Sequence, residues 1–312
     1  MSALSYSSIT DGAALQTINS IVIYEEYLHA KRMVQQVQGG MYWKKQGQYE
    51  YLVRTSVDNR QQRLGPRSPE TEAIHETFMA RKQVAMSRLA SLRVALEEAQ
   101  RLNRAMRAGC VPNIIVALLR RFQEEGLAAH FVVVGLQAIY AYGAVAGVRI
   151  MTKATDQAVE WLKSVDSQIS IFTDLTKQDD SSIERILQRV DRTFTYSNAR
   201  GLIATNAQGF KVSVQRSESL AADSASARCI WSMPRFTTPV IAANGTMATM
   251  QTISPNEFIR LMRSQAAKVL EPQGVEGELA QDLSDVVQKM LDDDVLVELE
   301  SCLSVLGNSY HR

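Results

Sequence analysis

The stretch FVVVGLQAIYAYGAVAGVRI, residues 131–150, decides how the chain is read. Phe131 to Val134 is a short aromatic and β-branched run with the composition of a buried strand. Gly135 ends that run, and Ala138 to Ala146 then reads as a helix of small and aromatic residues. A strand that passes through a glycine into a helix N-terminus aims free backbone N–H groups at one spot, an arrangement that suits a phosphate. The same pattern also serves as a plain packing turn in α/β proteins.

Composition bounds the rest. A chain of 312 residues has room for roughly two domains and a sizeable core. It is 46% hydrophobic and 21% charged, with a formal net charge of +1, the balance of a soluble protein. No apolar run approaches the ~18 residues of a membrane span. The opening MSALSYSSITDG lacks the basic and apolar regions of a signal peptide. Cys110, Cys229 and Cys302 are widely spaced and form no CxxC pair, which fits a reducing cytoplasm and argues against a cysteine zinc site. His29, His75, His130 and His311 show no metal-ligand spacing. Charge is unevenly spread. Residues 31–121 hold 17 Lys/Arg against 7 Asp/Glu, and residues 271–300 hold 10 acidic residues against Lys289 alone. The basic half suits a polyanion; alternatively the two segments meet, or both are solvated helix faces.

Working outward, residues 14–38 read as a helix stopped by Gly39-Gly40. Tyr42, Trp43, Tyr49, Tyr51, Leu52 and Val53 predict a hairpin turning near Gln46-Gly47, with a second turn at Asp58-Asn59. The sequence GPRSPE must turn, and Ser68 or Thr71 can cap a long, arginine-rich helix over about 70–107. Pro112 opens another helix, 113–125. Beyond the central stretch, 155–164 is ambiguous and 168–172 alternates as a strand. Ser181-Ser182 caps an amphipathic helix carrying Ile183, Ile186, Leu187 and Val190. Strands are expected at 194–196, 202–205 and 210–215, a loop at 217–227, and helices from Ser254 and over 276–303.

Several phrases, in order, resemble a bacterial family of nucleotidyltransferase-fold proteins related to the DNA-polymerase-β-type superfamily. They are MYWKK and EYL (41–45, 50–52), LGPRSPETE (64–72), VVVGLQAIYAYGAVAGVRI (132–150), KATD (153–156), VDRTF (190–194) and ATNAQGFKVSV (204–214). The resemblance implies an α/β (α+β) fold, a mixed sheet flanked by helices. Before it stands an N-terminal helical and hairpin region (1–126); the core occupies 127–250 and C-terminal helices 251–312. It also implies transfer of a nucleoside monophosphate from an NTP to a protein, RNA or small acceptor, with Mg²⁺ held by carboxylates. Hard cations want oxygen ligands, and paired ions stabilise both oxygens of an in-line displacement.

The resemblance places nucleotide phosphates at Gly135, Leu136 and Gln137, where Leu136 occupies an expected hydroxyl position. An acidic residue often seen late in the central helix corresponds to Gly143. The paired carboxylates correspond to about 155–159, where Asp156 alone is acidic and becomes the candidate catalytic and metal-binding residue. The third carboxylate corresponds to Ser213. Hydroxyls and amides do not replace carboxylates around two dications, so a degenerate site is expected. Two rescues stand beside this. Asp166, Asp174, Asp179 or Asp180 could supply a shifted metal site. Otherwise Lys44, Lys45, Arg67 with Ser68, Arg149 and Lys211 could hold a nucleotide without metal. The reading is a nucleotidyltransferase-like protein, with a pseudoenzyme or a structural interaction module as rivals.

Overall fold

The computed structural model describes residues 4–152, 165–175, 180–197, 202–216, 231–268 and 284–289. In chain order the elements are β1 (Leu4–Ser8), α1 (Asp11–Gln36), β2 (Gly40–Gln46), β3 (Tyr49–Thr55), β4 (Gln61–Pro66), α2 (Pro69–Ala105) and α3 (Asn113–Glu124). There follow β5 (Phe131–Val134), α4 (Ile139–Ala146), β6 (Val148–Thr152), β7 (Gln168–Thr173), α5 (Asp180–Val190) and β8 (Thr195–Ser197). The last are β9 (Leu202–Thr205), β10 (Lys211–Arg216), β11 (Arg235–Ile241), β12 (Met247–Ile253) and α6 (Pro255–Lys268). Two compact units result: residues 1–17 with 103–312, and residues 18–102. Helices α3 and α6 therefore group with the sheet between them.

The larger unit is built on a seven-stranded mixed sheet in the order β11-β12-β5-β7-β10-β9-β8. β5 pairs antiparallel with β7, β7 parallel with β10, and β12 parallel with β5. All four β5 residues are buried, as their composition predicts. On β7 and β10 burial alternates: Ile169, Ile171, Val212 and Val214 are buried, whereas Gln168, Ser170, Lys211 and Ser213 are half-buried or exposed. One face of this half of the sheet is core; the other is polar toward the start of β7 and β10, while further along it Phe172 is fully buried. Ile115, Leu118 and Phe122 of α3 and Ile183, Ile186 and Leu187 of α5 join the buried side chains in one cluster, with Phe122 stacked on Phe131 at 4.1 Å. The sheet flanked by helices is the mixed α+β arrangement that the sequence led us to expect.

Tyr142 locks α4 in place. It is fully buried, meets Phe236 and Phe258 edge-on, and donates its hydroxyl to the Ile253 carbonyl at 2.8 Å. Gly143 lies against β6, since a Cβ there would stand 2.9 Å from the Val148 carbonyl oxygen. That approach gives a packing reason for glycine where the resemblance implied an acid.

In the smaller unit β2, β3 and β4 form an antiparallel meander. The first turn uses Gly47 at φ +64, and the second has Asn59 at φ 60, the left-handed region that glycine and asparagine tolerate best. Ser68 caps α2 as expected: its hydroxyl accepts the Thr71 N–H at 3.3 Å, and the Thr71 hydroxyl oxygen accepts the Ser68 N–H at 2.8 Å. The strands β11 and β12, which no expectation covered, form a hairpin closed through Asn244-Gly245. The expected elements at 155–164 and 217–227, and most of the final helix, fall outside the described residues; 284–289 are helical.

Candidate functional site at the turn after β5

Gly135 leaves β5 at φ 77, and a 3₁₀ turn, Gly135–Ala138, carries the chain into α4. The left-handed φ suits glycine, and the missing side chain lets backbone come close to whatever sits at the turn. Leu136 packs partly against the core. Gln137 is only 1% exposed, and its amide donates to the Val165 carbonyl at 3.3 Å. It ties the turn to the segment before β7 and does not point outward.

What faces the turn follows from sheet register. Val134 pairs with Ser170, Ser170 with Ser213, and Ser213 with Ile203, so these four residues form one rung across β5, β7, β10 and β9. A Cβ on Gly135 would lie 4.0 Å from the Ser170 Cβ. Two pairs further along, Lys211 stands opposite Gln168 and Thr205 with its side chain exposed. Gly135, Ser170, Ser213 and Lys211 therefore gather at one end of the sheet. Sequence reasoning singled out Gly135, Lys211 and Ser213 but not Ser170; the expected acidic positions, 155–159, lie outside the described residues. The signal available was the alternation of QISI, which puts the polar Gln168 and Ser170 on the face opposite Ile169 and Ile171.

The loop before β10 is held by the phrases VDRTF and ATNAQGF. Asn206 Oδ1 accepts the Phe210 and Gln208 N–H groups at 2.8 and 3.1 Å, and its amide donates to Asp191 Oδ2 at 2.9 Å. Asp191 Oδ1 also accepts the Thr193 N–H and hydroxyl at 2.9 and 2.7 Å. The Thr193 backbone bond first, then its hydroxyl, hold this carboxyl below its ordinary pKa. These residues aim Lys211 and Ser213.

Arg149 lies on β6 in a cleft of about 240 Å³, together with Tyr140 and Asp166. Its guanidinium donates to the Arg107 carbonyl, at the end of α2. Tyr140 donates its hydroxyl to Asp166, and burial first, then that bond, push the phenol pKa up. Of the other acids weighed as rescues, Asp174 bonds His130 Nδ1 at 2.9 Å and Asp180 pairs with buried Arg216. Asp179 and Asp156 lie outside the described residues.

Residues 113–266 match a family model described as nucleotidyltransferase. This part of the chain is a nucleotidyltransferase-like domain. It runs from α3 into α6 and contains the turn after β5, Ser170, Lys211 and Ser213. No curated protein and no solved structure matches the chain.

The resemblance implies divalent metal, so the donor set matters. β7, β9 and β10 of the nucleotidyltransferase-like domain contain no Asp or Glu, and no cluster of three metal-capable side chains occurs among the described residues. Two serine hydroxyls, a buried amide and an ammonium do not fit a pair of hard dications. Lys44, Lys45, Arg67 and Ser68 belong to the other unit and lie outside the matched segment. Lys44 and Lys45 are exposed on β2. Arg67 is engaged by two carboxylates, Glu72 at 2.6 Å and Glu50 at 2.7 Å, which raise its pKa, and lies 5.1 Å from the Trp43 ring centre. Its charge is balanced locally, and Ser68 serves as a helix cap.

Proposed function

We propose that the nucleotidyltransferase-like domain binds nucleoside phosphates directly at the turn after β5, and that its transfer chemistry is impaired. The rung Val134–Ser170–Ser213 carries this reading, because it brings two hydroxyl-bearing residues beside Gly135, the turn to which the proposal assigns a phosphate. A carboxylate there needs a metal ion between itself and a phosphate, since the two repel one another. A hydroxyl donates a hydrogen bond to a phosphate oxygen with no ion between them. Lys211 supplies positive charge two residue pairs away, and the N–H groups opening the helical turn supply further donors. In these terms the chain is a nucleotide-binding pseudoenzyme of the DNA-polymerase-β-type superfamily.

The rival reading is an active Mg²⁺-dependent transferase that moves a nucleoside monophosphate to a protein, nucleic-acid or small acceptor. The family match favours it, and Asp156 would be its first carboxylate. Calorimetry with ATP, GTP, CTP and UTP, each with and without Mg²⁺, separates the two. The proposal expects binding that Mg²⁺ does not strengthen and that Lys211→Gln weakens without changing the melting temperature. Mg²⁺-dependent binding, with nucleotide transfer abolished by Asp156→Ala, would overturn it.

A further inference from the structure

The polar side of α5 carries a feature that the turn after β5 does not use. Ile183, Ile186 and Leu187 bury one face of this helix. Arg185, Gln188 and Arg189 follow the i, i+3, i+4 spacing of a second face, about 6 Å long at 1.5 Å per residue, and Arg192 lies in the turn just past the helix end at Val190. Arg121 of α3 completes a groove of about 710 Å³ lined by these five side chains. Arg189 pairs with Glu125, and Arg121 with Glu124 at 2.7 Å. Arg185 and Arg192 hold no ion pair among the described residues, and both are exposed. Unpaired arginines in one row repel one another, an arrangement that an extended anion relieves.

We propose that this groove binds the phosphate backbone of a nucleic-acid duplex, without reading its sequence. The lining chemistry decides the class of partner. None of the five side chains is aliphatic or aromatic, so the buried anchors on which protein interfaces depend are missing. No ring is present on which single-stranded bases could stack. The donors are spread along a shallow row, which suits repeated phosphates, and arginine forks match phosphate geometry. The inference is independent of nucleotide binding at Gly135 and needs no catalysis.

Fluorescence anisotropy of the full chain with a labelled 20-base-pair DNA duplex, over about 50–300 mM NaCl, tests it. Wild-type affinity should fall steeply with salt. Arg185→Gln/Arg192→Gln removes two cations and no ion pair, so the log–log slope should become shallower by about 2, from ~0.9 per phosphate neutralised. Affinity at low salt should fall at least tenfold, while Arg185→Lys/Arg192→Lys should keep the slope. Four results would each overturn the proposal: no duplex binding at 50 mM NaCl; an unchanged slope in the Gln double variant; a loss confined to Arg101→Gln/Arg104→Gln/Arg107→Gln; or binding of polyglutamate instead of duplex.

Discussion

Introducing carboxylates on the rung beside Gly135 gives the sharpest test of how the site is read. Ser170 and Ser213 are paired across parallel strands about 4.8 Å apart, and both are half-buried. In Ser170→Asp/Ser213→Asp two carboxylates would stand about 5 Å apart. Coulomb repulsion at that distance is about 0.8 kcal/mol in water and about 3 kcal/mol at an effective dielectric constant of 20. A cost of about 1–3 kcal/mol is expected for this partly exposed pair. For a unit of this size, each kcal/mol lowers the melting temperature by about 2–4 °C. Both groups remain ionised at pH 7.5, because a repulsion of this size raises a carboxyl pKa by only about 1–2 units. Mg²⁺ or Mn²⁺ at a hundred times its dissociation constant would return about 2.7 kcal/mol and so restore most of the loss. The assay is thermal unfolding with and without 10 mM MgCl₂ or MnCl₂, with Ser170→Asn/Ser213→Asn as an uncharged control. A double-Asp variant that responds to cations no more than wild type would refute the geometry, because the two side chains would then not converge.

Asn206→Ala leaves two backbone N–H groups and Asp191 without their partner, and about 1–3 kcal/mol should be lost in urea unfolding with an unchanged m-value. The folded-state pKa of Asp191 is lowered from 3.8, so its contribution is present above that value and is lost as pH falls through the lower folded pKa; Asp191→Asn should flatten the acid limb below pH 3.8. At Gly109 a Cβ would stand 2.4 Å from the carbonyl oxygens of Ile241 and Ala242, so Gly109→Ala should cost about 1–3 kcal/mol, whereas Gly40→Ala, with nothing within 4 Å, should change stability by under about 0.5 kcal/mol, both read by denaturant unfolding. Arg107, at φ 52, ends α2 in a Schellman arrangement with Ala108 N–H on Asn103 and Arg107 N–H on Arg104; Arg107→Gly should raise stability by about 0.5–1 kcal/mol in the same measurement.

Local periodicity carried the fold a long way. β5, β7, β9, β10 and α5 follow directly from apolar spacing, and α2 from its cap and arginine-rich stripe. The hairpin β11–β12 did not, although Asn244-Gly245 between two runs is a turn signal. Pro239 inside the first run and the Met, Ala and Thr of the second obscure the alternation. The proline is tolerated because β11 is the sheet's edge strand. Strand neighbours lay beyond reach for a different reason: pairing joins residues far apart in sequence, and only register shows that Ser170 stands between Val134 and Ser213. For the same reason the hydrogen bond from Arg149 to the carbonyl at the end of α2 was not legible in the sequence.

The residues that hold this domain together are separate from those that face its turn. Tyr142, Gly143, Asp191 and Asn206 fix the central helix and the loop before β10 through buried contacts and backbone hydrogen bonds. Ser170, Ser213 and Lys211 project from the polar side of the sheet and contribute little to the core. A change from acid to hydroxyl at the rung therefore costs the fold almost nothing, and even relieves repulsion between neighbouring strands. On the proposed reading it alters the chemistry at once, from a surface that meets phosphate through metal to one that meets it directly. The segments resembling nucleotidyltransferases are in large part those that build the scaffold, which is how a recognisable fold and a site without the expected carboxylates can occupy the same sheet.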